Sequence, residues 1–245
     1  MDTLHVVERL PAEGSPELLF LLFHGAGAGP RDMDRVLQRL AAEYPRAALV
    51  SVAAPDAFDA IPGGGAGLQW FSVVGVDEQN RPTRVAAAMP RFVGAVRSLQ
   101  RHYNIAWPTT ALVGFSQGAI MALEAVQAEA ALAGRVIAFS GRHASLPTHA
   151  PQDTTLHLLH GLDDPVVPHA PMVEAARRLV QLGADITADV LPGIGHDLHP
   201  ALIDKAMEHL HTFLPKRVWR EALSEAPVQN RVASSRELGP GGKQG

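Results

Sequence analysis

Hydrophobic and polar positions along the chain switch repeatedly between two periods. Leu18, Leu19, Phe20, Leu21, Leu22 and Phe23 form an unbroken apolar run closed by His24-Gly25, the pattern of a strand buried on both faces. Met33, Val36, Leu37, Leu40 and Tyr44 then recur at helical spacing, with Asp32 available near the first turn. Residues 47–53 read as the next strand, which ends at Pro55. From Pro55 to Pro82 no period persists. This stretch carries Gly63-Gly64-Gly65 and Trp70-Phe71 and reads as a long functional loop, because it brings its own large side chains.

Val85, Met89, Phe92, Val93, Val96 and Leu99 predict a second helix over 83–103, kinked or split at Pro90. Residues 109–115 are strand-like. Residues 119–133 favour helix, with Gly134 expected at the C′ position. Strands follow at 136–139 and 156–159. Val173, Ala176, Leu179 and Val180 mark a helix ended by Gly183. A strand at 185–191 and a helix marked by Leu202, Ala206, Met207, Leu210 and Phe213 complete the series. This alternation demands crossover connections, hence an α/β fold with a mostly parallel central sheet and helices on both faces. Residues 1–214 are expected to form one domain. In the 215–245 tail, Val218, Trp219, Ala222 and Leu223 fit one short helix, and the Gly/Ser-rich end is expected to be disordered.

Composition narrows the chemistry. The chain has 245 residues, 47 % of them hydrophobic, and its mean hydropathy is +0.04, which suits a large single core rather than disorder. A formal charge of -4 gives no general attraction to nucleic acid or anionic lipid. The absence of cysteine removes disulfides, thiolate metal sites and a cysteine nucleophile. The start, Met1-Asp2-Thr3-Leu4-His5, is acidic, and the apolar run 18–23 is too short for a signal h-region or a membrane span. A cytoplasmic protein without stable membrane insertion is the expectation.

The sharpest motif is Gly114-Phe115-Ser116-Gln117-Gly118, lying between an apolar strand and a helix-forming stretch. That is the context of a nucleophile elbow. A tight strand-to-helix turn presents the serine, and the glycines let neighbouring chain pass. The helix N-terminus also favours the negative charge that develops there. A chance match in a chain with 22 glycines is the bland alternative, weakened by the flanking elements. A serine hydroxyl needs a base held by a carboxylate. Candidates follow in the order of an α/β-hydrolase. Asp163 and Asp164 lie after one strand, and His196 follows in Gly193-Ile194-Gly195-His196 after the next. Asp-Pro also favours a turn or cap, so one of the two aspartates is free for a structural role, and a surface position is the plain alternative for His196.

The fourth element is His24-Gly25-Ala26-Gly27-Ala28-Gly29. An acyl-transfer oxyanion needs two backbone donors; Gln117 N–H offers one, and this early loop, at Ala26, the other. A dinucleotide loop would need G-x-G-x-x-G, but Pro30 stands at the third glycine position. Twelve histidines raise a metal alternative through His196, His199 and His160. The H-E-x-x-H pattern is absent, however, so the expectation is no metal and no cofactor. His24 and His160 are expected to bond to loop backbone.

Together, Phe23-His24-Gly25-Ala26-Gly27, Gly114-Phe115-Ser116-Gln117-Gly118-Ala119, His160-Gly161-x-x-Asp164-Pro165-Val166-Val167-Pro168 and Gly195-His196 resemble the phospholipase/carboxylesterase family of α/β-hydrolases. That family includes bacterial carboxylesterases and acyl-protein thioesterases. The resemblance covers about 18–213. It implies the α/β-hydrolase fold and a triad of Ser116, Asp164 and His196, leaving Asp163 outside it. Trp70-Phe71 resembles the family's W-F segment beside the acyl site, which implies substrate-binding roles. Two departures stand out: Ser72 replaces the Asp that often follows W-F, and Pro62-Gly63-Gly64-Gly65-Ala66-Gly67 replaces an apolar loop. So little side-chain surface points to short- or medium-chain acyl esters of small molecules. An acyl-protein thioesterase or lysophospholipase using the same triad is the main alternative. A peptidase, or a non-catalytic binding protein on a hydrolase scaffold, is more remote. A monomer and a homodimer are equally compatible with the sequence.

Overall fold

In a computed structural model of the chain, residues 4–61 and 66–218 are described. Two units are distinguished, Met1–Phe213 and Leu214–Gly245, and all elements below belong to the first. The short helix and disordered end expected in the tail fall, from residue 219 onward, outside the described residues, as do Pro62 to Gly65.

Among the described residues, seven strands form one sheet in the order β1-β3-β2-β6-β7-β8-β9. Six of them are β2 (Leu18–Phe23), β3 (Ala47–Val52), β6 (Thr110–Phe115), β7 (Arg135–Phe139), β8 (Thr155–Gly161) and the edge strand β9 (Asp185–Leu191). All of these pair in parallel. Only β1 (Val6–Arg9) runs antiparallel, against β3. This edge strand has no counterpart in the sequence reading, because four residues with two of them exposed carry too little hydrophobic pattern. A second, two-stranded sheet joins β4 (Asp56–Ala57) to β5 (Leu68–Gln69) inside the stretch read as loop.

The continuous apolar runs resolve into two faces with period two, since successive strand side chains point to opposite sides. Leu19, Leu21 and Phe23 pack on one side with α2 (Arg81–Tyr103), α3 (Gln117–Ala128) and α4 (Ala170–Gln181). Phe20 and Leu22 pack on the other with α1 (Asp34–Glu43) and α5 (Pro200–Thr212). The α/β-hydrolase fold is therefore a sheet sandwiched by helices, and every parallel strand delivers its following loop to the same edge.

Local differences from the sequence reading have physical causes. Pro90 does not split α2, which runs unbroken for 23 residues. Pro90 and the Ala86 carbonyl it cannot serve both lie on the exposed side, where water can satisfy the orphaned acceptor. Helix α3 ends at Ala128 rather than near 133, and Ala131 takes the left-handed conformation at φ +53°. Gly134 is not its C′ residue. It leads into β7, and a Cβ there would lie 2.3 Å from the Pro108 carbonyl oxygen, so close approach explains the glycine. A short 3-10 turn, Pro30–Met33, precedes α1, and Asp32 accepts the Gly29 N–H instead of lying within the α-helix. Gly183 does end α4, at φ +82°.

His157, in the middle of β8, is fully buried. Its ring stacks on His209 at 5.4 Å, its Nε2 accepts from Arg135 Nη1 at 3.2 Å, and its Nδ1 meets Thr187 Oγ1 at 2.9 Å. Burial, helped by Arg135 and His209, pushes its pKa down from 6.5 to about 3. The unfolded chain therefore takes up a proton below pH 6.5 that the fold refuses until near pH 3, so stability falls as pH drops through that window. At pH 5 this costs about 2 kcal/mol. His157→Gln is expected to narrow the fall in Tm between pH 8 and pH 5 relative to the parent. An unchanged difference in scanning calorimetry would refute this account.

Candidate active site

The β6–α3 junction sets the geometry. Ser116 sits at φ 52° and ψ -115°, a conformation that costs a non-glycine residue roughly 1–3 kcal/mol and persists only where its surroundings enforce it. They do so by close approach. A Cβ on Gly114 would lie 2.4 Å from the Ala119 nitrogen, and one on Gly118 would lie 2.1 Å from the Phe23 carbonyl oxygen. Only glycine fits at either place, which is the structural reason for the pentapeptide.

Three loops converge on the serine hydroxyl. His196 Nε2 is 2.9 Å from Ser116 Oγ, and its Nδ1 is 2.7 Å from Asp164 Oδ2. A carboxylate can only accept, so the proton resides on Nδ1 and the Nε2 lone pair faces the serine. Phe115 backs the imidazole at 4.9 Å. The Asp164 side chain is fully enclosed. Burial alone would raise its pKa, but bonds from His196 and from the Val167 and Val166 amides outweigh burial and hold it below the usual range. Those two amides reach Oδ1 at 2.9 Å each. Asp163 stands apart and accepts the Gly193 N–H at 2.8 Å, a loop tie. His199 caps α5 through Ala201 N–H. Among the described residues no group of three or more His, Cys, Asp or Glu side chains could hold a metal ion.

The loop after β2 lies against the elbow, where a Cβ on Gly25 would be 3.2 Å from Ser116 Cβ. The buried His24 ring fixes this loop. Its Nε2 accepts the Ala54 N–H at 3.0 Å, so Nδ1 carries the proton and donates to the Gly25 carbonyl at 2.8 Å. Burial lowers its pKa, in keeping with that neutral tautomer. Gly27 N–H is spent on the Leu68 carbonyl and Ala28 N–H on that of Gly25. Ala26 N–H and Gln117 N–H have no acceptor among the described residues. Gln117 opens α3, so its amide is one of the free donors of a helix N-terminus. The arrangement offers a nucleophile, an oriented base and two unengaged backbone donors, the requirements of acyl transfer.

Comparison with known proteins agrees. The phospholipase/carboxylesterase family model matches residues 8–214. The chain belongs to this family. It is 44 % identical over 220 residues to Esterase YpfH of Escherichia coli (strain K12), covering 90 % of this chain and 93 % of that one. The crystal structure of esterase PE8 superposes with a TM-score of 0.78 at 28 % identity, covering 86 % of this chain and 99 % of that one. The Bacillus cereus carboxylesterase gives a TM-score of 0.68 at 16 % identity, over 84 % and 93 % of the two chains, a likeness of fold.

The W-F segment lies next to the elbow. Trp70 is buried, packs edge-on against Phe23 and Phe92, and donates its Nε1–H to the His24 carbonyl at 2.9 Å. Both residues line a cavity of about 1350 Å³ on the α2 side of the sheet, and none of Ser116, Asp164, His196, Ala26 and Gln117 lines it. Two further contacts have no forerunner in the motif reading. The Gln117 side chain accepts from Trp70 N–H at 2.8 Å and donates to the Phe71 carbonyl at 2.7 Å, joining the W-F segment to the elbow. His160 bonds the Val167 carbonyl as expected, but its Nε2 also lies 3.2 Å from Asp164 Oδ2. The i, i+4 spacing within one turn was the available signal for that second contact.

Gln117→Leu would strip partners from a buried amide and a buried carbonyl, each worth about 1–3 kcal/mol when left unsatisfied. A loss of roughly 2–4 kcal/mol in urea unfolding is expected. A loss below half a kcal/mol would show that the clamp does not hold the segment.

Proposed function

We propose that this chain is a serine carboxylesterase acting on short- to medium-chain acyl esters of small molecules. The observation that carries the reading is the unbroken line from Ser116 Oγ through the His196 ring to Asp164, at 2.9 Å and 2.7 Å, beside two unengaged N–H groups. Ser116 Oγ attacks the ester carbonyl as His196 Nε2 takes its proton, and Asp164 stabilises the imidazolium. The carbonyl oxygen, now negative, is met by Ala26 and Gln117 N–H. Collapse expels the alcohol, protonated by His196, and leaves an acyl-serine. Water, deprotonated by the same imidazole, then attacks the acyl carbon and releases the acid. Atoms balance with water as the only co-reactant, so the chemistry calls for no cofactor.

The membership and the 44 % identity to an esterase support ester hydrolysis. The preference for shorter chains rests on the sequence Pro62-Gly63-Gly64-Gly65-Ala66-Gly67, which offers little side-chain surface where longer-chain members of the family carry an apolar loop. No helix among the described residues is long and apolar enough to cross a membrane, which is consistent with our placement of the protein in the cytoplasm. A monomer or homodimer, with no nucleic-acid partner, fits the net charge of -4.

A fluorophosphonate probe is expected to label the parent and not Ser116→Ala; equal labelling of both would overturn the assignment. Asp164→Asn should fold normally and lower kcat on p-nitrophenyl acetate by about three to four orders of magnitude, since the imidazole then takes the wrong tautomer. Across p-nitrophenyl esters of increasing length, kcat/KM is expected to peak at short or medium chains. A rise that continues to palmitate would refute the chain-length preference.

A further inference from the structure

A large cavity lies behind the W-F segment. At about 1350 Å³ it exceeds the roughly 300–1,000 Å³ of ordinary small-molecule pockets. One wall is the flank of α2 from Arg84 to Arg101, and the opposite wall comes from the end of β3 and the residues after it, 52–56. At 1.5 Å rise per residue the α2 wall is about 25 Å long. Trp70 and Phe71 stand between this space and the elbow. Their side chains line the cavity, while their backbone is bonded to the Gln117 side chain.

Its chemistry has two parts. Leu68, with Ala87, Ala88 and Ala95 along the helix flank, makes an accessible apolar surface with few bulky groups, over the buried Val52, Ala54, Trp70 and Phe92. The charged side chains are Arg84, Arg91 and Arg101 against Asp56 alone. Asp56 is taken by Arg91 at 3.1 Å. Arg84 is bonded to the carbonyl oxygens of Ser72, Val74 and Gly75, and its charge also acts on Asp59. Arg101 has no side-chain hydrogen bond or ion pair among the described residues, and Ser98 lies on the same wall, one turn away. The Arg101 guanidinium, without a carboxylate partner among the described residues, at the end of an elongated apolar groove calls for an anion with an apolar tail, since a guanidinium binds carboxylate through paired N–H donors.

We propose that this groove binds a single-chain anionic amphiphile, a fatty carboxylate, with its head at Arg101 and Ser98 and its tail running along Ala95 and Phe92 toward Trp70. The site is separate from the acyl-transfer residues, so its occupation does not depend on Ser116 or on the esterase reading.

Isothermal titration of the full-length protein with dodecanoate, below its micellar concentration, tests this. One saturable site per chain is expected. Arg101→Glu, an exposed substitution, should weaken binding at least about tenfold by reversing the charge at the head. Ala95→Trp should abolish binding by filling the groove. Dodecyltrimethylammonium, with the same tail and opposite charge, should bind at least about tenfold more weakly. Thermal melts and p-nitrophenyl acetate turnover of the two variants report that the fold is intact. Absence of saturable binding in the parent, equal binding by both folded variants, or equal affinity for the cationic amphiphile would each overturn the proposal. So would sedimentation of the parent as a dimer that Ala95→Trp converts to monomer, because the groove would then be covered by a second copy.

Discussion

Everything at the upper edge of the sheet depends on the backbone of Ser116 being held at φ 52°. A side chain in that conformation is unfavourable by itself, and neighbours set close around it keep it there. The start of α3 presses against Gly114, and the end of β2 presses against Gly118. The strain is therefore distributed over two strands and a helix, and it projects the hydroxyl into the crevice where the other loops end. Because β2 is one of the elements in contact, the nucleophile and the loop bearing Ala26 are fixed by the same approach of main chains.

Burial without charge is the second organising constraint. His24 and His160 are buried with their pKa values lowered, chiefly by desolvation, and each bonds backbone carbonyl oxygen through a protonated ring nitrogen. Neutral rings of this kind can tie loops together without placing an uncompensated charge in the interior. Asp164 is the contrasting case. It remains a carboxylate in an enclosed setting because three donors surround it: the Val166 and Val167 amides and His196. A carboxylate so supplied holds the His196 imidazole in one tautomer and one orientation, which is what a general base beside a serine requires.

The proposed triad positions were legible in the sequence because each follows a strand, and parallel strands send their following loops to one edge. The order of the loops, the pentapeptide and the glycine-rich turn after β2 all survive as local patterns. The edge strand β1 was not legible, since its pairing with β3 comes from partners 40 to 46 residues away and its own four residues carry little pattern. Pro90 illustrates a related gap. Its effect on α2 depends on whether the orphaned carbonyl faces water or core, and periodicity does not reveal that. The same holds for Gly134, whose reason for being glycine is a carbonyl from another turn.

The sequence by itself determined the alternating architecture, and it carried the proposed nucleophile and the chain order of its partners, because these follow from short-range periodicity and from residue types a few positions apart. Tertiary structure alone decided which way Trp70 and Phe71 face. The Trp70 ring packs against Phe23 and Phe92, and the backbone of both residues is held by Gln117 from a different element. It also decided that a large arginine-bearing cavity lies behind them. The physical reason is separation along the chain: a cavity and a clamp are made where distant segments meet, and no local pattern encodes the space between them.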